Sequence, residues 1–214
     1  MRSFYEIGTD SGTDKIWAAR YDLVYAKHLE HFRYDTFCML EIGVAHGQSL
    51  ALWDEYFPKA TYYGVDIESY AVNGENLIQA DQSADADLQK LIDEIPECKF
   101  ILDDGSHVPA HQIFTFEKLF KNLLKPGGTY IIEDVETSYW KREETVYGYP
   151  VGDDDVVSYF ASKVHLVNDH YNRMKNDMDI ASITFGRNAI IITKKTMEER
   201  FITEHPYRYS DHLK

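Results

Sequence analysis

Five short apolar runs separated by segments of helical spacing limit how this chain can fold: runs of that length between turns are buried strands, and the segments between them return the chain across a sheet. The runs are Phe37–Gly43, Thr61–Ile67, Asn76–Asp81, Cys98–Asp104 and Thr129–Asp134, each with an acidic residue at or near its C-terminal end. Helical spacing covers Gly47–Tyr56, stopped by Pro58, then Asp85–Ile95, then His111–Leu124, closed by Lys125-Pro126-Gly127-Gly128. Upstream, Ile16, Ala19, Leu23, Ala26 and Leu29 recur at spacings of three and four, which predicts one amphipathic helix over Ile16–Phe32 with Thr13 or Asp14 as N-cap. Downstream, residues 135–152 lack a period and read as a long aromatic loop, and Asp153–Met174 reads as a helix. Asp179–Phe185 and Ala189–Thr193 flank Gly186-Arg187-Asn188 as an antiparallel hairpin, and the tail from Lys194 is polar. The expectation is an α/β chain with a doubly wound, mostly parallel, Rossmann-like sheet of seven strands. An antiparallel C-terminal edge hairpin completes it, in a single domain.

Composition excludes several classes of partner. At 214 residues, 44% hydrophobic and 27% charged, the chain is of ordinary globular make-up and not a collagen or a low-complexity scaffold. Lys and Arg number 22 against 36 Asp and Glu, a net charge of −14 that repels a phosphate backbone, so no nucleic-acid partner is expected. Acidic clusters at Glu143-Glu144, Asp153-Asp154-Asp155 and Glu198-Glu199 serve solubility or attract divalent cations, and charge alone does not separate the two. Cys38 and Cys98, both in apolar runs, read as two buried thiols in a reducing compartment. The first residues carry no apolar leader core, and nowhere do 18 uncharged apolar residues run together, so the expectation is a cytoplasmic protein with no membrane partner.

Chemistry concentrates at the C-terminal ends of the predicted strands. Glu41-Ile-Gly43-Val-Ala-His-Gly47 leaves the first strand and opens a helix, where glycines admit a ligand close to the backbone and helix N–H groups face it. The pattern is Glu-x-Gly-x-x-x-Gly, only half of a dinucleotide turn, and a tight strand-to-helix connection explains it equally well. Asp66, about twenty residues on, is placed to accept from both ribose hydroxyls of a nucleoside. Asp81, followed by Gln82 and Ser83, reads as a group facing an adenine edge or as a helix cap for the segment from Asp85. Ends of neighbouring parallel strands lie about 5 Å apart, so Asp104, Glu133 and Asp134 can converge. Three carboxylates that close need a cation, and oxygen donors suit Mg²⁺ better than Zn²⁺. His107, three residues after Asp104, is a general base beside such an ion or else a surface loop histidine. Pro109 between His107 and His111 opposes a zinc pair, leaving His111 to cap or pack. Tyr139, Trp140, Tyr147 and Tyr149 stack on an acceptor or pack their own loop, which is a candidate lid.

Taken together, these residues resemble a known family. From about Thr13 to Thr193 the chain resembles class I S-adenosylmethionine-dependent methyltransferases. Within them it is similar to the metal-dependent macrolide sugar O-methyltransferases of the mycinamicin 2''-O-methyltransferase type. The resemblance is carried by Gly12-Thr-Asp-Lys15, Leu40-Glu-Ile-Gly-Val44, Ser49-Leu50 with Trp53, and Phe57-Pro58. Tyr63-Gly-Val-Asp66, Asp103-Asp-Gly-Ser-His107, Pro126-Gly-Gly128, Glu133-Asp134 and Thr137-Ser-Tyr-Trp140 complete it. A histidine that the family carries four residues after the motif lysine is Ala19 here.

The resemblance implies a cofactor site for S-adenosylmethionine drawn from Thr13, Lys15, Glu41, Gly43, Gly47, Ser49, Asp66, Ile67, Asp81, Gln82, Ser83 and Asp103. The glycine turn takes the methionine part, Asp66 the ribose and Asp81-Gln82-Ser83 the adenine. It further implies Mg²⁺ on Asp104, Glu133 and Asp134, with His107 and Asp104 catalytic. The domain plan is then an N-terminal helical segment at 1–34, the S-adenosylmethionine-binding catalytic domain at 35–194 and a C-terminal tail at 195–214. The function expected is methyl transfer to a hydroxyl of a sugar or glycosylated small molecule, with a small-molecule or glycan acceptor as partner and assembly into a homo-oligomer left open. Alternatives are a catechol-type O-methyltransferase, whose vicinal hydroxyls also chelate a metal, an NAD-dependent oxidoreductase, and a non-catalytic module that keeps the cofactor fold.

Overall fold

The computed structural model describes residues 2–68, 75–168 and 178–204. Five strands, β1 (Phe37–Ile42), β2 (Ala60–Asp66), β3 (Leu77–Gln79), β4 (Cys98–Asp103) and β5 (Leu124–Glu133), pair in parallel. A small ladder of β6 (Thr145–Val146) and β7 (Tyr149–Pro150) stands apart. With β8 (Ile180–Gly186) and β9 (Ala189–Lys194), the large sheet runs β3-β2-β1-β4-β5-β9-β8. The seven-stranded, mostly parallel sheet is the one expected from sequence. β9 is antiparallel to both of its neighbours, so the reversed strand lies inside the sheet and β8 takes the edge.

Eight helices cover the sheet: α1 (Phe4–Ser11), α2 (Asp14–Trp17), α3 (Asp22–Leu29), α4 (Gln48–Tyr56), α5 (Asp85–Glu94), α6 (Pro109–Asn122), α7 (Val156–Ser162) and α8 (Met197–Glu204) among the described residues. Successive strand residues face opposite sides, so a strand buried on both faces is apolar throughout. On one side Leu40, Ile101, Tyr130 and Ile132 meet Leu88 and Leu91 of α5, Phe116 and Phe120 of α6 and Phe160 of α7. On the other, Met39, Phe100, Leu102 and Ile131 meet Phe4 of α1, Tyr25 of α3 and Trp53 of α4. Each fully buried side chain of this size contributes about 1.5–3 kcal/mol. Residues 4–32 thus close the second core against the same sheet.

Several expectations need correction. The predicted helix over Ile16–Phe32 is broken: α2 ends in a turn in which Arg20 adopts φ +57° and the Tyr21 amide reaches back to the Lys15 carbonyl at 2.9 Å. The left-handed turn at Arg20 breaks the helical path, and Arg20 makes paired bonds to Asp22. Periodicity alone missed the break because no glycine marks it. An additional helix, α1, precedes it, opened by a capping box between Ser3 and Glu6. The tail begins with α8, where Thr196 accepts from the Glu199 amide. β5 starts at Leu124 and not Thr129, with Gly127 at φ +71° taking up a shift in register against β4. Of the helix expected at Asp153–Met174, Val156–Leu166 is helical and residues 169–174 lie outside the described residues, as does the tail beyond Glu204. No helix among the described residues is long and apolar enough to cross a membrane.

Candidate active site

Strand order reverses between β1 and β4, which opens a crevice at their C-terminal ends. Gly43 leaves β1 with φ +89°, and a Cβ there would lie 2.0 Å from the Asp104 carbonyl oxygen, so only glycine lets the two strand ends pass. Asp66, at the end of β2, braces the turn: its Oδ2 accepts from the amides of Val44 (3.0 Å) and Ala45 (2.9 Å), and its Oδ1 from that of Glu68 (2.9 Å). A carboxylate offers about four acceptor sites, which leaves roughly one for a ribose hydroxyl. Beside this turn lies a cavity of about 410 Å³ whose lining includes Gly43, Asp66, Ile67, Asp81, Gln82 and Asp104. Its size is that of a small-molecule site, with room for a nucleoside-type ligand.

Next to the cavity the acids gather. Asp103 of β4 pairs with Ile132 of β5, so the residues that follow, Asp104 and Glu133, emerge side by side. Asp104, His107 and Asp134 each present a ligand atom, all within 4.8 Å of one another. Glu133 is not brought in with them: its Oε2 accepts from Lys15 Nζ at 2.8 Å and its Oε1 from the Tyr25 hydroxyl. Lys15 Nζ also reaches Asp104 Oδ2 at 2.5 Å and stands 3.6 Å from Glu41 Oε1. Burial opposes the ammonium charge, but Asp104, Glu133 and Glu41 outweigh it and hold Lys15 well above the ordinary lysine pKa. Burial, then the neighbouring Asp104, pushes Glu133 well up; burial also raises Asp134, against the pull of His107. Three carboxylates, Glu41, Asp104 and Glu133, surround a single ammonium, and Asp134 adds a fourth beside Asp104, so a further cation would relieve the site.

Asp134 adopts φ +51°, and its Oδ1 accepts from the Tyr21 hydroxyl (2.6 Å) and Asn188 Nδ2 (2.9 Å). This leaves Oδ2 facing His107, whose Nε2 is 3.7 Å away. His107 is itself at φ +54°, its carbonyl accepts from Thr137 Oγ1 at 2.7 Å, and its Nδ1 is buried with no hydrogen-bond partner. The two carboxylates offer oxygen donors of the kind a hard divalent ion takes, and His107 at their side is a group that can accept a proton. The Tyr147 ring stands 5.6 Å from that of His107, and Tyr149 the same distance from His111.

Other predicted residues take supporting positions. Thr13 caps α2, and Lys15 stands behind the acids, away from the cavity lining. Glu41 is buried, and its Oε2 accepts from Ser49 (2.8 Å) and Tyr62 (2.6 Å). Asp81 Oδ1 caps the turn through Ser83, accepting from its amide and hydroxyl. Gln82 turns inward: Nε2 donates to Asp103 (3.1 Å) and Thr115, and Oε1 accepts from the Ser106 amide. Burial lifts Asp103 to a pKa of about 7 against those bonds from Gln82. Gly47 begins α4 at φ +77°. His111 bonds Ser106 through Nδ1 at 3.0 Å. All four loop aromatics are exposed, but Tyr147 and Tyr149 line the cavity and Tyr139 and Trp140 do not. Sequence reasoning missed Tyr21, Tyr25 and Asn188. Tyr21 and Tyr25, stacked at 5.4 Å, hold the consecutive acids Asp134 and Glu133, and their spacing of four on a helix was the one available signal.

No protein-family profile matches the chain. It is 38% identical over 154 residues to 8-demethyl-8-alpha-L-rhamnosyl tetracenomycin-C 2'-O-methyltransferase of Streptomyces olivaceus, covering 67% of this chain and 39% of that protein. It is 35% identical over 126 residues to mycinamicin VI 2''-O-methyltransferase of Micromonospora griseorubida, covering 54% of this chain and 31% of that protein. The chain therefore spans between about a third and two fifths of the length of these curated relatives. Among solved structures it resembles the MycE methyltransferase of the mycinamycin biosynthetic pathway in complex with Mg and SAH. The TM-score is 0.78 at 25% identity, over 91% of this chain and 55% of that one.

Proposed function

From its homology to macrolide and tetracenomycin sugar O-methyltransferases and its class I methyltransferase fold, we propose that this chain transfers a methyl group from S-adenosylmethionine to a sugar hydroxyl with the help of Mg²⁺. The observation that carries this reading is the adjacency of two sites. The cavity braced by Gly43 and Asp66 shares Asp104 with the cluster of Asp104, His107 and Asp134. An NAD-dependent hydride transfer has no use for that cluster.

The glycine turn and Asp66 hold the donor, with Ile67 and Asp81 on the cavity wall. Asp104 and Asp134 hold the ion, with Glu133 in reserve on Lys15. When bound, the ion polarises the acceptor hydroxyl and lowers its pKa, and the sulfonium cofactor supplies the methyl group. His107 takes the hydroxyl proton at Nε2, its ring held in place by the Thr137 bond to its carbonyl and by Tyr147. Tyr21 and Asn188 hold Asp134 through Oδ1 and leave Oδ2 facing His107, free to take the ion. Tyr147 and Tyr149 line the cavity mouth, where an acceptor ring can pack on them. The acceptor is a glycosylated small molecule, as the relatives' names support, and the negative charge disfavours nucleic acid.

The test is incubation with methyl-labelled S-adenosylmethionine and a panel of rhamnosides and other glycosides, with Mg²⁺ and with EDTA. Label entering the sugar only with Mg²⁺ is the expected result. Transfer undiminished by EDTA overturns the metal, and failure to bind S-adenosylhomocysteine overturns the donor.

A further inference from the structure

We propose that Lys15 is a tethered cation that occupies the acid cluster before the divalent ion arrives, so that metal loading is an exchange. Resting on the metal-assisted reading above, this makes Lys15 a positioning residue. In the described structure its ammonium is almost wholly buried and lies on Asp104 Oδ2 at 2.5 Å and on Glu133 Oε2 at 2.8 Å, and it meets the cavity through Asp104, Lys15 itself being no part of the lining. A divalent ion that takes Asp104 and Asp134 competes with this ammonium for the same carboxylate, and the two cations repel each other across a few ångströms of poorly solvated space.

The structure also contains the place to which the ammonium withdraws. Glu41 Oε1 is buried without a hydrogen-bond partner, 3.6 Å from Lys15 Nζ, while Oε2 of the same carboxylate is fixed by Ser49 and Tyr62. A shift of about an ångström brings Nζ to hydrogen-bond distance of Oε1. It releases Asp104 to the ion and gives the orphaned acceptor its donor. Before metal binds, Lys15 keeps the carboxylates from repelling one another; afterwards it neutralises Glu41, on the strand that leads into the glycine turn.

Exchange makes opposite predictions for the two partners. Lys15→Met removes the competitor and tightens Mn²⁺ binding, measured by electron paramagnetic resonance on the cofactor-free protein, by about tenfold. It also lowers the melting temperature without metal and enlarges the rise that Mg²⁺ produces. Glu41→Gln removes the charged site of withdrawal, leaves Lys15 on Asp104 and weakens Mn²⁺ by about tenfold. Should Lys15→Met fold only with Mg²⁺ present, that is the predicted metal dependence. Should it not fold at all, Glu41→Gln decides alone. Mn²⁺ affinity unchanged in Glu41→Gln, or unchanged or weaker in a folded Lys15→Met, overturns the exchange and leaves the proposed function standing. No Mn²⁺ binding to the unaltered protein overturns both.

Discussion

Asp66 carries two roles that substitution can separate. Its carboxylate accepts three amide hydrogen bonds, from Val44, Ala45 and Glu68 at 2.9–3.0 Å, and lines the cavity at the same time. Asp66→Ala deletes all three. A hydrogen bond to a charged acceptor contributes up to about 3 kcal/mol, but solvent reaches this turn, so about 1 kcal/mol each and ~3 kcal/mol in total is the working figure. For a chain of this length each kcal/mol moves the melting temperature by ~2–4 °C, so the alanine variant falls by ~6–12 °C. Asp66→Asn keeps one oxygen, enough for the Val44 and Ala45 amides, and turns an NH₂ group toward the Glu68 N–H. It loses one bond and gains a donor facing a donor, ~1–2 kcal/mol or ~2–8 °C. In titration calorimetry with S-adenosylhomocysteine both variants lose at least about tenfold in affinity, since neither offers the ribose a charged acceptor. Calorimetric melting and that titration, run side by side, check both roles. Asp66→Ala melting within about 2 °C of the unaltered protein refutes the brace. Unchanged affinity in a destabilised Asp66→Asn refutes the ribose contact and leaves Asp66 a brace alone.

His107→Asn keeps a residue that tolerates the left-handed backbone and removes the imidazole. Its kcat falls by about 10²–10⁴-fold while S-adenosylhomocysteine affinity stays within about twofold, and near-normal turnover excludes His107 as the base. Asp103 gives a pH signature: its folded pKa of about 7 lies above the unfolded value of ~3.9, so its contribution to stability is complete below pH ~4 and is lost as pH rises through 7. Between these limits the unfolding free energy of the unaltered protein, from urea titrations, falls relative to Asp103→Asn by up to ~4 kcal/mol, and parallel pH profiles contradict the assignment. Tyr21→Phe leaves Asp134 with Asn188 alone, so half-saturation by Mg²⁺ rises while the fold loses ~1–2 kcal/mol. An unmoved Mg²⁺ requirement places Tyr21 outside the site.

The parts of the site that follow from strand pattern were legible, because a parallel sheet sends the C-terminal ends of all its strands to one edge. Gly43, Asp66, Asp104 and Asp134 each close a recognisable apolar run, and their meeting at one crevice follows from the order of strands. Gln82 reads as a polar residue beside a helix start, and only the structure shows its amide committed to Asp103, Thr115 and Ser106. What lies behind the acids was not legible. Lys15, Tyr21 and Tyr25 sit in a stretch whose periodicity describes a single core-facing helix, and their partners stand 89 to 118 residues away in sequence. A tyrosine that packs its ring in a core and delivers its hydroxyl to a buried carboxylate has the same sequence signature as one that only packs.

The backbone shows why the break at Arg20 matters to the site. Seven non-glycine residues have positive φ among the described residues, and five of them, Ala45, His107, Asp134, Tyr147 and Asn188, bear on the crevice: two line the cavity, two belong to the cation cluster and one holds Asp134. Such conformations cost roughly 1–3 kcal/mol each and persist only where surrounding structure enforces them. Arg20, the sixth, lies one residue before Tyr21, and its turn starts α3 with Tyr21 and Tyr25 facing the acids. Had α2 run on into α3 as the periodicity predicts, the hundred-degree step per residue would have carried both rings to different bearings. Asp134 Oδ1 would then have lost its shortest hydrogen bond. The strained turn at Arg20 and the strained residues of the crevice are therefore parts of one arrangement: backbone torsion is accepted on both sides of the sheet edge so that two tyrosine hydroxyls and an ammonium meet three carboxylates.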